Sequence, residues 1–278
     1  MDMVSDKTIV REAAVGTVEH LYQRSIGIAI IRDNEWIDLG SGTGVRIGSR
    51  TFVATAAHVI EPYDDDEIWL IRSEEPSSEP TPIVASSLVG GGTHDLLDLA
   101  YLELDIEPKD IGKVLIGIDE LMTGICHLPG GLVILNGYPH ANIDPEKAKQ
   151  KELSAQSMSY HVRSIDPEEW PDEVISWPHY ARRDVNILAD YPSEGNVLVD
   201  GKPFVLPDPE GMSGGGIWTL YFPEGAVWSP TQSRLVGIIT EWDPSGRWVM
   251  GNQIQHWLQL VADDYPDIAE HILPYIND

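Results

Sequence analysis

Cysteine is almost absent: the 278-residue chain has one, Cys126. A lone cysteine excludes an intrachain disulfide, offers no second thiol for redox exchange or for a zinc site, and fits a reducing compartment. Its apolar setting, "TGICHLPG", predicts a small buried hydrophobe rather than a nucleophile. Positive charge is scarce as well. The 18 Lys and Arg face 45 Asp and Glu, a formal charge of -27, which disfavours a phosphate backbone or an anionic membrane as partner. The excess serves solubility or attracts basic protein segments. No apolar run approaches the roughly 18 residues of a membrane span, and the opening "MDMVSDKTIVREAAVG" lacks the apolar core of a signal peptide. A cytoplasmic protein without nucleic-acid or membrane partners is expected, and neither a metal nor another cofactor.

Helical crossovers between β-rich runs are missing too, which disfavours a parallel α/β architecture. Hydrophobic residues at 42% and charged residues at 23% are an ordinary folded composition. Residues Thr8 to Gln23 carry apolar side chains at helical spacing, weakened by Gly16. From Ser25 the texture becomes short β-rich runs: "SIGIAIIR", "EWIDLGSGTGVRIG", "RTFVATAAHVI", "EIWLIRS", "TPIVASSLV" and "LAYLELD". A second group of runs follows: "GGLVILNGYP", "SMSYHVRSI", "DVNILADYP", "NVLVDGKPFVL", "GGGIWTLYF" and "SRLVGIITEW". Gly, Pro, Asp, Asn and Ser clusters separate them at the spacing of a barrel or sandwich. At the C-terminus, Ile254, Trp257, Leu258, Leu260 and Val261 mark an amphipathic helix that Pro266 interrupts. Residues 73–82 and 142–156 read as surface loops.

Three stretches point to chemistry. In "PDPEGMSGGGIW" a single serine, Ser213, stands among four glycines. A serine hydroxyl needs a base to become a nucleophile, and the charge that develops on an attacked carbonyl needs backbone N–H donors aimed at it. Glycines permit the backbone turn that supplies them, with Gly211 and Ser213 as the donor pair. In "RTFVATAAHVI" the small Ala56 and Ala57 precede His58, leaving room for an imidazole to approach another segment. In "HDLLDLAYLEL", Asp98 interrupts an apolar run, either as a strand-entry residue facing water or as a buried acceptor that must be paired. Asp95 is its rival; the two lie on opposite faces if the segment is extended. His94, Asp95 and Asp98 also form a weak set of metal ligands, with no paired histidines to support it.

In the order His58, Asp98, Ser213 the chain resembles the trypsin-like (chymotrypsin-fold) serine peptidases, in a bacterial or intracellular form without disulfides. "TAAHV", "DLAYL" and "GMSGGG" look like the family's histidine, aspartate and nucleophile motifs, and "LVGIIT" like the strand whose edge holds substrate. The resemblance implies an all-β fold of two packed six-stranded antiparallel β-barrels with an N-terminal and a C-terminal helix. The divisions would be a helical extension over 1–24, a first barrel over 25–120 with His58 and Asp98, a second over 121–252 with Ser213, and a C-terminal helix and tail over 253–278. It implies a serine endopeptidase that acts on protein or peptide substrates through an acyl-enzyme; because unregulated general degradation would harm a cytosol, a dedicated processing protease is expected. His58, Asp98 and Ser213 would be catalytic, and the N–H groups of Gly211 and Ser213 the oxyanion hole. Glu210, Thr240, Glu241 and Trp242 would bound the substrate site. Met212 stands where many members carry an aspartate that pairs with a newly released N-terminus, so that switch is lost and control is left to a regulatory protein partner or to none. The alternative is a pseudoprotease, the same fold kept as a peptide-binding module.

Overall fold

The computed structural model describes residues 16–33, 35–61, 67–71, 81–82, 88–105, 112–124, 131–140, 157–176, 180–191, 197–199, 202–204, 206–220, 229–245 and 247–276. Cys126 and the segment 142–156 lie outside them, as does most of 73–82. Residues 16–22 are helical, the C-terminal part of the helix expected from Thr8.

The first β unit contains β1 (Ser25–Arg32), β2 (Glu35–Ile47), β3 (Arg50–Thr55), β4 (Glu67–Ile71), β5 (Thr81–Pro82), β6 (Leu88–His94), β7 (Leu99–Leu104) and β8 (Ile116–Gly117). Its strands run β5-β4-β1-β2-β3-β7-β6, with β8 beside β2. Six long strands pair antiparallel as a half-barrel, and the two-residue β8 is parallel to β2. The second unit is built from β9 (Leu132–Gly137), β10 (Met158–Arg163), β11 (Asn186–Asp190), β14 (Gly216–Leu220), β15 (Ser233–Asp243) and β16 (Trp248–Gln253). These six strands run β10-β9-β14-β15-β16-β11. A bridge from Ser164, just past β10, to Ala189 of β11 brings the two ends of that sheet together as a barrel. Two details depart from the sequence reading. "NVLVDGKPFVL" forms a separate hairpin of β12 (Val197–Val199) and β13 (Lys202–Phe204). The sixth strand is β16, which runs into the C-terminal helix with no turn signal between them.

Side-chain alternation explains how the two units share a core. On β3, Val53 points into the interior of the first unit with Ile26, Ile28 and Leu102, while Phe52 and Ala54 face the second unit. On β9, Val133 and Leu135 fill the second barrel, and Ile134 faces back. The helix Ile254–Asp264 lays Ile254, Trp257, Leu258 and Val261 into this shared core, each side chain contributing about 1.5–3 kcal/mol by burial. The Trp257 indole N–H donates to the Ala100 carbonyl at 3.0 Å, tying that helix to β7. A second helix spans Ala269–Ile276. No helix among the described residues is long and apolar enough to cross a membrane.

Candidate active site

The β3–β7 register pairs Thr55 with Ala100, so the residues just past β3 and just before β7 are neighbours. His58 occupies the 3₁₀ turn Ala57–Val59 that follows β3, and the Ala57 N–H donates to the Asp98 carbonyl at 3.2 Å. Asp98 enters β7 in the left-handed region, φ 49°, a conformation that Asp tolerates better than most residues. There its Oδ1 accepts the His58 backbone N–H at 2.9 Å and its Oδ2 accepts the ring Nδ1–H at 2.6 Å. Asp98 is thus a strand-entry residue and a paired acceptor at once, one-third exposed. Residues Asp95–Leu97 form a 3₁₀ turn, so the strand alternation used to separate Asp95 from Asp98 does not operate there.

With its proton held on Nδ1, the His58 ring presents an Nε2 lone pair. Burial alone would lower its pKa; the Asp98 hydrogen bond and charge outweigh it, with Asp38 and Glu241 adding at longer range, and the net shift is upward from 6.5.

Ser213 lines the same cleft as His58, together with Asp38, Leu39, Gly40, Val59, His140, Glu210, Gly211 and Trp242. The serine turn is fastened on both sides. The Met212 N–H donates to the Pro209 carbonyl at 2.9 Å, the Gly214 N–H to Ile239 at 2.7 Å and the Gly215 N–H to Met212 at 2.9 Å. From the first unit, the Ser41 N–H donates to the Ser213 carbonyl at 2.8 Å. The Ser41 hydroxyl donates to the Gly211 carbonyl and accepts the Tyr138 N–H, each at 2.8 Å. Gly211 has φ +89° and Gly214 φ +83°, backbone that favours glycine. The Glu210 carbonyl accepts the His140 N–H at 2.8 Å; in a planar trans peptide the Gly211 N–H therefore points the opposite way. Met212 is buried in the second barrel with Leu135, Tyr160 and Ile217.

Of the residues expected to bound substrate, Glu210 and Trp242 line the cleft, Glu210 exposed and Trp242 half-buried. Thr240 is buried and Glu241 half-buried on β15, at a shift in its pairing with β16 between Ile239 and Glu241. Asp208, also in the segment before Ser213, is exposed and accepts the Glu210 N–H at 3.3 Å, capping its own loop. Gly246 lies outside the described residues. Sequence reasoning missed three residues: Ser41, Asp38 and His140. The signal for Ser41 was a hydroxyl amid the small residues of "GSGTG"; for His140 there was none.

No protein-family model matches the chain, and no curated protein does. Among solved structures, HL collagenase is similar at 13% identity, over 88% of this chain and 94% of its own, with a TM-score of 0.53. The serine endoprotease from Yersinia pestis aligns at 15% identity over 91% of this chain and 65% of its own, with a TM-score of 0.49. At this identity the collagenase likeness is one of fold, and the fold is chymotrypsin-like.

Proposed function

We propose that the chain is a serine endopeptidase that processes protein or peptide substrates, with His58 and Asp98 supplied by residues 25–120 and Ser213 by residues 121–252. The observation that carries this reading is the double grip of Asp98 on His58, backbone and ring, beside a cleft that Ser213 also lines. A binding module has no use for an imidazole whose tautomer is fixed by a carboxylate.

In the proposed reaction, Ser213 Oγ attacks the scissile carbonyl carbon while its proton passes to His58 Nε2. Asp98 steadies the imidazolium, and the N–H groups of Gly211 and Ser213 receive the oxyanion. Collapse breaks the C–N bond, and the amine leaves with the proton from His58. Water then repeats the sequence on the acyl-enzyme, releasing the acid and restoring Ser213. The β15 edge at Thr240, Glu241 and Trp242 would hold the substrate backbone by strand addition, with Trp242 lining the cleft beside Ser213.

The test is reaction with a fluorophosphonate, located by mass spectrometry, with Ser213→Ala alongside. An adduct at Ser213 alone supports the reading, and the variant should lose turnover on the order of 10⁶-fold. A parent that takes no label would favour the pseudoprotease.

A further inference from the structure

We propose that His140 is a positioning residue for the serine turn, its imidazole bracing the peptide that aims the Gly211 N–H. The inference rests on the peptidase reading and concerns how that site is held in register.

His140 joins three elements. Just past β9, its backbone N–H donates to the Glu210 carbonyl at 2.8 Å and so fixes the Glu210–Gly211 peptide. Its Nε2–H donates to the Leu39 carbonyl on β2 at 2.9 Å. Around the ring, Asp38 Oδ1 stands 3.5 Å from Nε2 and Glu210 Oε1 3.7 Å from Nδ1. Trp36 meets it edge-on, with ring centroids 6.0 Å apart. The ring also lies so close to Gly211 that a β-carbon there would lie 2.5 Å from His140 Cδ2. The imidazole is therefore a spacer between β2 and the turn. Truncating it leaves the backbone donor in place but removes what holds that donor still.

Charge reinforces the brace. Among the described residues, Asp38 from β2 and Glu210 from the turn are the charged groups paired with the ring. The Asp38 contact raises its pKa above 6.5, burial opposes, and the Leu39 carbonyl and Glu210 add to the rise. The protonated ring can serve both carboxylates. As pH climbs through the raised value the Nδ1 proton is lost and the hold on Glu210 slackens.

The test compares the parent with His140→Ala and His140→Gln, the latter retaining a side-chain N–H donor. Two quantities are read: the fluorophosphonate concentration and pH dependence of Ser213 labelling, and amide hydrogen exchange across residues 209–213. The Ala variant should lower the maximal labelling rate about 10- to 100-fold, a fraction of the loss from deleting an oxyanion donor, with the half-saturating concentration unchanged and exchange faster at Glu210 and Met212, the amides that are hydrogen-bonded within the turn. The parent's labelling rate should fall as His140 loses its Nδ1 proton; Gln should restore most of the rate and show no such fall. Parental rate and exchange in the Ala variant would overturn the proposal, as would a rate loss that Gln does not recover. If Ala does not fold, that fall persisting in Gln, or absent from the parent, overturns it. A parent whose Ser213 takes no label sinks the peptidase reading separately, and the exchange comparison still decides for or against His140.

Discussion

Asp98 holds His58 at two points, the backbone N–H at 2.9 Å and the ring Nδ1–H at 2.6 Å, from a residue whose own φ is 49°. Replacement with Asn separates these roles. Asn tolerates the left-handed backbone, and its amide oxygen can still accept the backbone N–H, so the melting temperature should stay close to the parent's. Its NH₂, placed opposite Nδ1, would force the ring proton onto Nε2 and remove the lone pair that Ser213 needs. Hydrolysis by Asp98→Asn should fall by about 10⁴-fold. A variant that keeps a tenth of the parental rate would remove Asp98 from the proposed role.

The raised pKa of His58 sets the sign of the pH dependence. The base must be neutral, so activity should rise with pH through a midpoint above 6.5. Asp38 and Glu241 contribute through space, and Asp98 through a direct hydrogen bond. Added salt screens the former more than the latter, so high ionic strength should move the midpoint down without carrying it to the ordinary histidine value. Stability follows the same linkage. A pKa raised on folding adds stability that is present in full below the unfolded value and is lost as pH rises through the folded one. A rate–pH profile whose rising limb lies at or below 6.5 would contradict the assignment.

Much of this site was legible because its chemistry is locally encoded. The run "GMSGGG" announces a turn that side chains would obstruct, and β3 and β7 are largely apolar runs, with His58 just past the end of one and Asp98 just before the start of the other. Ser41 left only a faint signal and His140 none, for the opposite reason. Their partners are backbone groups of residues far along the chain, Gly211 and Leu39, which become neighbours only when the two β units pack. The same holds for β16. "WVMGNQ" passes into "IQHWLQL" with no Gly-Pro break, and only pairing with β11 and β15 decides where strand gives way to helix.

Ser41 should be costly to truncate even though it is buried and does not line the cleft. Its buried hydroxyl serves the Gly211 carbonyl and the Tyr138 N–H together. Ser41→Ala leaves two buried backbone groups without partners, a loss of about 2–6 kcal/mol at 1–3 kcal/mol for each. Chemical denaturation would read this directly. The labelling rate of Ser213 should fall as well, since the freed carbonyl belongs to the residue whose N–H is a proposed oxyanion donor. An unchanged denaturation midpoint would mean that water replaces the hydroxyl and that Ser41 is not a structural tie.

Gly214 and Gly124 allow strain and contact to be told apart. Both lie in the left-handed region, at φ +83° and +71°. A β-carbon on Gly124 would meet nothing within 4 Å, whereas on Gly214 it would fall 2.0 Å from the Ser41 carbonyl oxygen and 2.2 Å from Thr55 Oγ1. Gly124→Ala should therefore cost only the backbone strain, about 1–2 kcal/mol, and leave hydrolysis intact. Gly214→Ala carries the same strain and must also push the serine turn off the first unit, because the obstructing atoms include backbone that cannot swing aside. Its stability loss should exceed that of Gly124→Ala by at least about 1 kcal/mol. Its activity should fall further than stability alone explains, since Ser213 is displaced relative to His58 even in molecules that remain folded. Measuring both variants at a temperature well below either melting point isolates that second effect. If Gly214→Ala labels at the parental rate there, the close seating of the serine turn against Ser41 and Thr55 is not what sets the nucleophile's position.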